Sequence, residues 1–217
     1  MINIRIKKFT FNPFQENTYI VYDENNQAFI FDPGCSTVNE ETILFRFIDQ
    51  NDLKPKALIN THCHIDHVVG NHAVLEQYAI PFWAPDGEQP VLKSSEITAQ
   101  MYQFPYKTSP QPDEWITVHH KMSLGGEEWK IIAAPGHSPA SLVFYQPSAG
   151  IGITGDVLFR ESIGRTDLPG GNHQQLLTNI REKLYTLPDD TVIYPGHGSE
   201  TTIGHEKKHN PFVRGSQ

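Results

Sequence analysis

The sequence has 217 residues, a length that fits one sizeable domain able to bury roughly 70% of the surface of its unfolded chain. It carries 17 Lys and Arg against 25 Asp and Glu, and the formal charge of -8 argues against a nucleic-acid or anionic-membrane surface. Its two cysteines, Cys35 and Cys63, are too few for a disulfide framework, so we expect a reduced, cytoplasmic protein. No apolar run approaches membrane-spanning length, and nothing near the N-terminus is built like a signal peptide.

Apolar periodicity predicts strands and helices that alternate along the chain without linkers or low-complexity tracts. The sequence opens with a meander and later contains a second one. The predicted strands are residues 3–9, 17–22, 27–31, 56–60, 116–118, 121–124, 128–133, 141–145, 151–154 and 191–194, and the predicted helices are residues 37–50, 68–78, 87–102 and 173–184. Three prolines between residues 103 and 113 predict a loop, which is either a lid or a surface excursion.

Four predicted strands end directly in a short loop that carries His or Asp. The residues in these loops are His62, His137, Asp156 and His197. Because strand ends can deliver side chains to one edge of a sheet, we expect these four side chains to lie close together. The tripeptide Pro-Gly-His follows two of these strands, which suggests two related halves, each a sheet backed by helices.

The densest group of potential ligands lies in residues 61–67, Thr-His-Cys-His-Ile-Asp-His. A lone histidine is more often a core or surface residue than a ligand, but His62, His64, Asp66 and His67 together favour a metal site. Alternation along an extended strand end lets His62 and His64 point the same way, with Asp66 and His67 in the turn before a helix. Imidazole and carboxylate suit zinc or iron, and the absence of paired cysteines argues against a closed structural zinc site.

The pattern His-x-His-x-Asp-His, followed by His137, Asp156 and His197, resembles the metallo-β-lactamase superfamily over nearly the whole chain. The resemblance implies a single α/β domain over residues 1–217, a four-layer αββα sandwich with two metal ions at one edge. It also implies the ligand set: the first metal ion is held by His62, His64 and His137, the second by Asp66, His67 and His197, and Asp156 bridges both.

Residue 64 is His and not Glu, so the pattern is more similar to the zinc-hydrolase branch of the superfamily than to its diiron flavoprotein branch. The resemblance therefore implies two Zn²⁺ ions per chain, with Fe or Mn as alternatives. Within the superfamily, residues 12–19, 155–159, 163–171 and 195–204 resemble the short bacterial form of glyoxalase II, the hydroxyacylglutathione hydrolase group.

Two features distinguish this sequence from long-form glyoxalase II. We expect the chain to lack the helical C-terminal extension that contacts the glutathione carboxylates in the long form. Arg165 falls where the long form has a glutathione-contacting lysine, and Asp167 stands where it has a tyrosine.

The implied reaction is hydrolysis of a small anionic thioester, such as S-lactoylglutathione. A hydroxide between the two metal ions, held through Asp66 and Asp156, would attack the acyl carbon. A thiolate leaves without prior protonation, since its parent pKa is about 8.5, and this favours a thioester over a lactam. Two zinc ions outweigh the two aspartates and hydroxide in charge, so an anionic substrate can bind with help from Arg165 or Arg160 at the rim.

Two other functions are compatible with the sequence. A persulfide dioxygenase, which resembles this group closely, uses one iron ion, and its ligands here would be His62, His137 and Asp156. A non-catalytic metal-binding protein is the other alternative, and it is disfavoured because all seven ligand positions are filled. The metal content distinguishes the hydrolase from the dioxygenase.

Overall fold

Two β-sheets form the centre of the molecule in the computed structural model, which describes residues 4–214. The first sheet has six strands in chain order, β1 (Arg5–Phe11), β2 (Glu16–Tyr22), β3 (Gln27–Phe31), β4 (Lys54–Ile59), β5 (Phe82–Pro85) and β6 (Glu114–Ile116). Strands β1 to β3 form an antiparallel meander, whereas β3 to β6 run parallel. Parallel neighbours need crossover connections, and helices supply them.

The second sheet has five strands, and a short hairpin, β7 (Ser123–Leu124) with β8 (Glu127–Glu128), precedes it. Its strands are β9 (Lys130–Ala133), β10 (Leu142–Gln146), β11 (Ile151–Gly155), β14 (Val192–Pro195) and β15 (Thr201–Thr202). A second hairpin, β12 (Leu158–Phe159) with β13 (Ser162–Ile163), follows β11. Strands β9, β11 and β14 point the same way, because β10 is antiparallel to β9 and β11, and β14 is parallel to β11.

Six α-helices connect and cover the sheets. They are α1 (Val38–Gln50), α2 (Ile65–Val68), α3 (Asn71–Tyr78), α4 (Gln89–Met101), α5 (His173–Asn179), which a π-helical turn (Ile180–Leu184) continues, and α6 (Ile203–His209). Within residues 4–214, none of these helices has the length and apolar character needed to cross a membrane.

Three apolar clusters separate the molecule into four layers. In β3, Ile30 faces the helices, where it joins the cluster of Leu44 from α1, while Phe31 faces the other sheet. Phe31 meets Phe144 of β10 there, with ring centroids 5.2 Å apart. The third cluster packs the outer face of the second sheet against α5. This alternation produces the αββα sandwich, so the predicted fold is confirmed.

Helix α1 shows how local chemistry sets an element boundary. Thr37 is the N-cap residue, its hydroxyl accepts from the Glu40 N–H, and the Glu40 carboxylate accepts from the Thr37 N–H. This reciprocal pair is a capping box, which satisfies two N–H groups that would otherwise lack partners. The helix predicted over residues 37–50 is therefore confirmed within a residue.

The helix predicted over residues 68–78 is confirmed in part as α3, which begins only at Asn71, because the chain breaks at Gly70 and residues 65–68 form the separate helix α2. The Gly70 N–H donates to the carbonyl of Pro33 at 2.7 Å. A Cβ at this position would lie 2.5 Å from Cys35 Sγ and 2.6 Å from that carbonyl oxygen. Close approach of the Pro33 turn to the helix therefore requires glycine here.

Several short elements were not predicted, namely α2, β5, β12, β13, β15 and α6, and each is too short to show a clear apolar period. The helix predicted over residues 173–184 is α5 plus its π-helical turn. The strand predicted over residues 3–9 is β1 in the structure, and residue 3 lies outside the described residues. The loop predicted over residues 103–113 is confirmed as a loop.

Candidate metal centre

Seven side chains converge where the two sheets meet at one edge. His62 and His64 follow β4, while Asp66 and His67 lie on α2. The other three, His137, Asp156 and His197, follow β9, β11 and β14, whose carboxyl ends lie at the same edge of the second sheet. The expectation that the strand-end residues lie close together is confirmed by the distances that follow.

The first cluster consists of His62, His64 and His137. The Nε2 atom of His137 lies 2.9 Å from Nδ1 of His64 and 3.2 Å from Nε2 of His62. Burial lowers the pKa of His62 well below its usual value and lowers that of His64 to about 4. Both imidazoles are therefore neutral near pH 7, which is the form that binds a metal ion.

The second cluster consists of Asp66, His67 and His197. Asp66 Oδ2 lies 3.2 Å from Nε2 of His197 and 3.7 Å from Nε2 of His67. Burial alone would lower the pKa of His67, but the carboxylates of Asp156 and Asp66 outweigh burial and raise it well above its usual value. Asp66, together with the adjacent Asp156, therefore places negative charge around His67 that a bound cation can neutralise.

Asp156 lies between the two clusters. Its Oδ2 is 3.4 Å from Nε2 of His137 in the first cluster and 3.5 Å from Nε2 of His197 in the second. Its Oδ1 is 3.3 Å from Nε2 of His67. Burial alone would raise the pKa of Asp156, but the adjacent histidines, His67 foremost, outweigh burial and hold it well below its usual value.

Asp32 orients the centre without facing it, and sequence reasoning assigned it no role. Its Oδ2 lies 3.1 Å from Nδ1 of His67, and its carboxylate also accepts from the backbone N–H and the hydroxyl of Thr61. Asp32 lies near both His62 and His67, but it occupies the Nδ1 side of His67, so Nε2 remains directed at the clusters. The tripeptide Asp-Pro-Gly at residues 32–34 is typical of a turn, but nothing in it predicts a contact with His67. In the structure Asp32 has a φ of 46°.

The residues present fit metal ions. The Nε2 atom of His67 and Oδ1 of Asp156 are buried in the centre and lie 3.3 Å apart, yet neither forms a hydrogen bond with the other or with another described residue. Imidazole and carboxylate donors without thiolate suit zinc or iron. Close packing explains the glycine of the second Pro-Gly-His, because a Cβ on Gly196 would lie 2.2 Å from Oδ1 of Asp156.

A cavity of about 850 Å³ opens over the centre. Its walls include Phe14, Val91 and Leu168, together with His64, Asp66, His137, Asp156 and His197 of the two clusters. Arg165 is the only Lys or Arg among its described lining residues, and its guanidinium donates to both oxygens of Asp167 at 2.7 Å. Arg160 is exposed and does not line the cavity.

Comparison with known proteins agrees with this architecture. Residues 11–197 match the family described as the metallo-beta-lactamase superfamily. The chain is 36% identical over 214 residues to a Haemophilus influenzae protein named hydroxyacylglutathione hydrolase GloC, covering 98% of each chain.

Two solved structures are also similar to this chain. The BLEG-1 B3 metallo-beta-lactamase is 35% identical with a TM-score of 0.89, and the match covers 97% of this chain and 100% of that one. TTHA1623, solved in a di-iron-bound form, is 32% identical with a TM-score of 0.86, and the match covers 95% of this chain and 100% of that one. The chain therefore belongs to the metallo-beta-lactamase superfamily, whose fold and His/Asp clusters it shares.

Proposed function

We propose that this protein is a dinuclear metal-dependent hydrolase that cleaves a small thioester of the S-2-hydroxyacylglutathione type, such as S-lactoylglutathione. The observation that carries the proposal is the position of Asp156, whose Oδ2 lies within 3.5 Å of a histidine nitrogen in each cluster. The full-length similarity to a relative named hydroxyacylglutathione hydrolase supports the choice of substrate class.

In this proposal, His62, His64 and His137 would hold one metal ion, Asp66, His67 and His197 would hold the other, and Asp156 would contribute its carboxylate to both. We assign zinc to both positions, with iron or manganese as alternatives. Bound metal ions of this kind lower the pKa of water to near neutrality and polarise a carbonyl oxygen. The chain itself contributes the carboxylates of Asp66 and Asp156 and the fixed orientation of the imidazoles.

The cavity favours a leaving group that needs no proton. Apart from the proposed ligands, its described titratable lining residues are Cys63, Tyr102 and Arg165. Cysteine, tyrosine and arginine side chains normally keep their protons near neutral pH, so they are poor general acids. Burial raises the pKa of Cys63 further. A thiolate departs without a general acid, whereas the amine of a hydrolysed lactam needs a proton. This contrast supports thioester over β-lactam hydrolysis.

Substrate contacts follow from the charges near the cavity. We assign Arg165 to a carboxylate of an anionic thioester, because it is the cationic side chain of the described cavity wall. Arg160 is proposed only as a more distant rim charge, since it does not line the cavity.

The second candidate function is that of an iron-dependent persulfide dioxygenase. His137 Nε2 lies 3.2 Å from His62 Nε2 and 3.4 Å from Asp156 Oδ2, so these three residues form a compact set for one iron ion. The similar structure in a di-iron-bound form supports iron as an occupant of this fold.

Metal analysis and parallel assays test the proposal. Protein purified without added metal is analysed for metal content and then assayed side by side with S-lactoylglutathione, glutathione persulfide and a β-lactam. Two zinc ions per chain with thioester hydrolysis are the expected result. One iron ion per chain with oxygen uptake on the persulfide would establish the dioxygenase instead, and β-lactam turnover without thioester turnover would contradict the substrate class.

A further inference from the structure

Glu88 is a fully buried carboxylate in the turn between β5 and α4. It is the N-cap residue of α4, yet its side chain makes no capping hydrogen bond to that helix. None of the described ion pairs includes Glu88. Since a buried carboxylate is costly unless hydrogen-bonded, its partners indicate its role.

Three groups from two other chain segments donate to this carboxylate. The backbone N–H of Cys63 lies 3.0 Å from Oε2, and that of Ala140 lies 2.8 Å from Oε1. The hydroxyl of Ser138 lies 2.7 Å from both oxygens. Cys63 stands between His62 and His64, and Ser138 directly follows His137. Glu88 therefore joins the two segments that carry the three histidines of the first cluster.

We propose that Glu88 is a positioning residue for the first metal ion, because its carboxylate holds residues 62–64 and 137–140 at the spacing that brings three imidazoles together. The inference rests on the metal sites of the proposed function and goes beyond them, since Glu88 touches neither ligand cluster. None of its described hydrogen bonds reaches Asp66, His67 or His197. The effect of changing Glu88 is therefore selective for the first site.

The variant Glu88→Gln tests this role with almost no change in volume. An amide has one acceptor oxygen and one NH₂ group, so it cannot accept from donors on both sides. At least one of the backbone N–H groups of Cys63 and Ala140 then faces another donor, and the two segments lose part of their connection.

Glu206 provides a matched control. It is also fully buried, and its carboxylate accepts from the Thr201 hydroxyl, the Glu161 N–H and the Asn210 side chain. These contacts tie α6 to neighbouring segments and do not include residues 62–64 or 137–140. Glu206→Gln therefore imposes a comparable loss of buried hydrogen bonds away from the first cluster.

The experiment measures zinc affinity at each site by competition with a chromophoric chelator, and the visible spectrum of the cobalt-substituted protein reports ligand geometry. His64→Ala and His197→Ala assign the two binding steps to the first and second clusters. Glu88→Gln is expected to weaken the first site about 10- to 100-fold and to change its cobalt spectrum, while the second site is unaffected. Glu206→Gln is expected to leave both affinities unchanged, even with a lower Tm.

Three results would overturn the inference alone, namely unchanged first-site affinity in folded Glu88→Gln, equal weakening of both sites, or the same weakening in Glu206→Gln. If Glu88→Gln does not fold, Ser138→Ala decides, because it keeps the carboxylate and removes one donor. It should weaken the first site selectively but less, and unchanged affinity would again overturn the inference. A wild-type protein with no metal at the first cluster would overturn the proposed function as well.

Discussion

For three of the clustered histidines, His67, His137 and His197, the contact of Nδ1 with the rest of the chain sets the orientation of the ring. The Nδ1 atom of His137 lies 2.8 Å from the Arg165 carbonyl oxygen, and that of His197 lies 3.1 Å from the Phe14 carbonyl oxygen. At His67, the atom in contact with Nδ1 is Oδ2 of Asp32. An Nδ1–H that donates to such a partner leaves Nε2 as the free lone pair, which is the arrangement found around protein-bound metal ions.

Asp156→Ala is predicted to reduce metal content and thioester hydrolysis together. Asp156 contacts histidines of both clusters, so its loss affects both ions. We expect kcat/KM to fall more than about 100-fold, with metal content measured on the same preparation. Asp189→Ala, which changes an exposed aspartate paired with Lys207, serves as the control. Full turnover by Asp156→Ala with two bound metal ions would contradict the ligand assignment.

Arg165→Ala is predicted to raise KM for an anionic thioester more than it lowers kcat. Arg165 lines the cavity but is already paired with Asp167, and the Asp167 carboxylate weakens its attraction for an anionic substrate. Both side chains are exposed, and we expect a change in KM of only about 2- to 5-fold.

The companion variant Asp167→Asn frees Arg165 and should lower KM for the same substrate. Steady-state kinetics with S-lactoylglutathione and with an uncharged thioester separate the two effects, because the uncharged substrate should not respond to either change. An unchanged KM in both variants would remove Arg165 from the site.

At the scale of secondary-structure elements, the first turn of α1 also connects to the β1–β2 loop. The carboxylate of Glu40 accepts from the backbone N–H groups of Asn12 and Ser36, both at 2.8 Å, and from that of Thr37 at 3.1 Å. Burial would raise the pKa of Glu40, but these N–H groups, with Ser36 and Asn12 foremost, outweigh burial and lower it.

Glu40→Gln is predicted to lower the stability of the protein at pH 7, and this loss of stability should be smaller at acidic pH. A carboxylate whose pKa is lower in the folded state than in the unfolded state stabilises the protein at pH values above its unfolded-state pKa. This contribution is lost as the pH falls through its folded-state pKa. The difference in Tm between wild type and Glu40→Gln should therefore shrink between about pH 5 and pH 3. Glu41→Gln, in the same turn without a described side-chain hydrogen bond, is the control. A difference in Tm between wild type and Glu40→Gln that does not change with pH would contradict a stabilising role for the charge of Glu40.

At the scale of the whole molecule, the candidate metal centre joins the two sheets. Four of its side chains follow β4 of the first sheet, and three follow strands of the second sheet. Among the described residues, the sheets are joined by the apolar cluster that contains Phe31 and Phe144 and by hydrogen bonds near the same edge, such as the one from the Tyr19 hydroxyl to the Pro195 carbonyl at 2.7 Å. Metal ions bound at this edge would add a further connection between the two halves. The expectation that residues 1–217 form a single domain stays a prediction.

Chelation is therefore predicted to lower Tm. A ligand that binds only the folded state stabilises it by about 2.7 kcal/mol at 100 times its Kd. For a chain of this size, each kcal/mol corresponds to about 2–4 °C, so removing the metal should lower Tm by roughly 5–10 °C. Differential scanning calorimetry with and without a chelator measures the shift, and zinc should restore the original Tm. A Tm that changes neither with the chelator nor with added zinc would show that the metal does not stabilise the fold.

Local patterns in the sequence were enough to predict most strands and helices, the start of α1 and the convergence of the strand-end histidines, whereas the αββα layers were implied by the resemblance to the metallo-β-lactamase superfamily. The pleat of a strand fixes which neighbouring side chains share a face, so the spacing of His62 and His64 predicts that they point the same way. Asp66 and His67, which we expect in the turn before a helix, lie on the short helix α2 itself. Very short elements such as β5 carry too few residues to show a period.

Only the tertiary structure decided the roles of Asp32 and Glu88. Asp32 reaches His67 across 35 residues of chain, and Glu88 reaches Ser138 across 50. The tertiary structure likewise placed Arg165, but not Arg160, at the cavity. No local period encodes such contacts, because they depend on how three apolar interfaces bring distant loops to one edge. The sequence by itself thus determined which residues can bind metal, and packing determined which residues hold them in place.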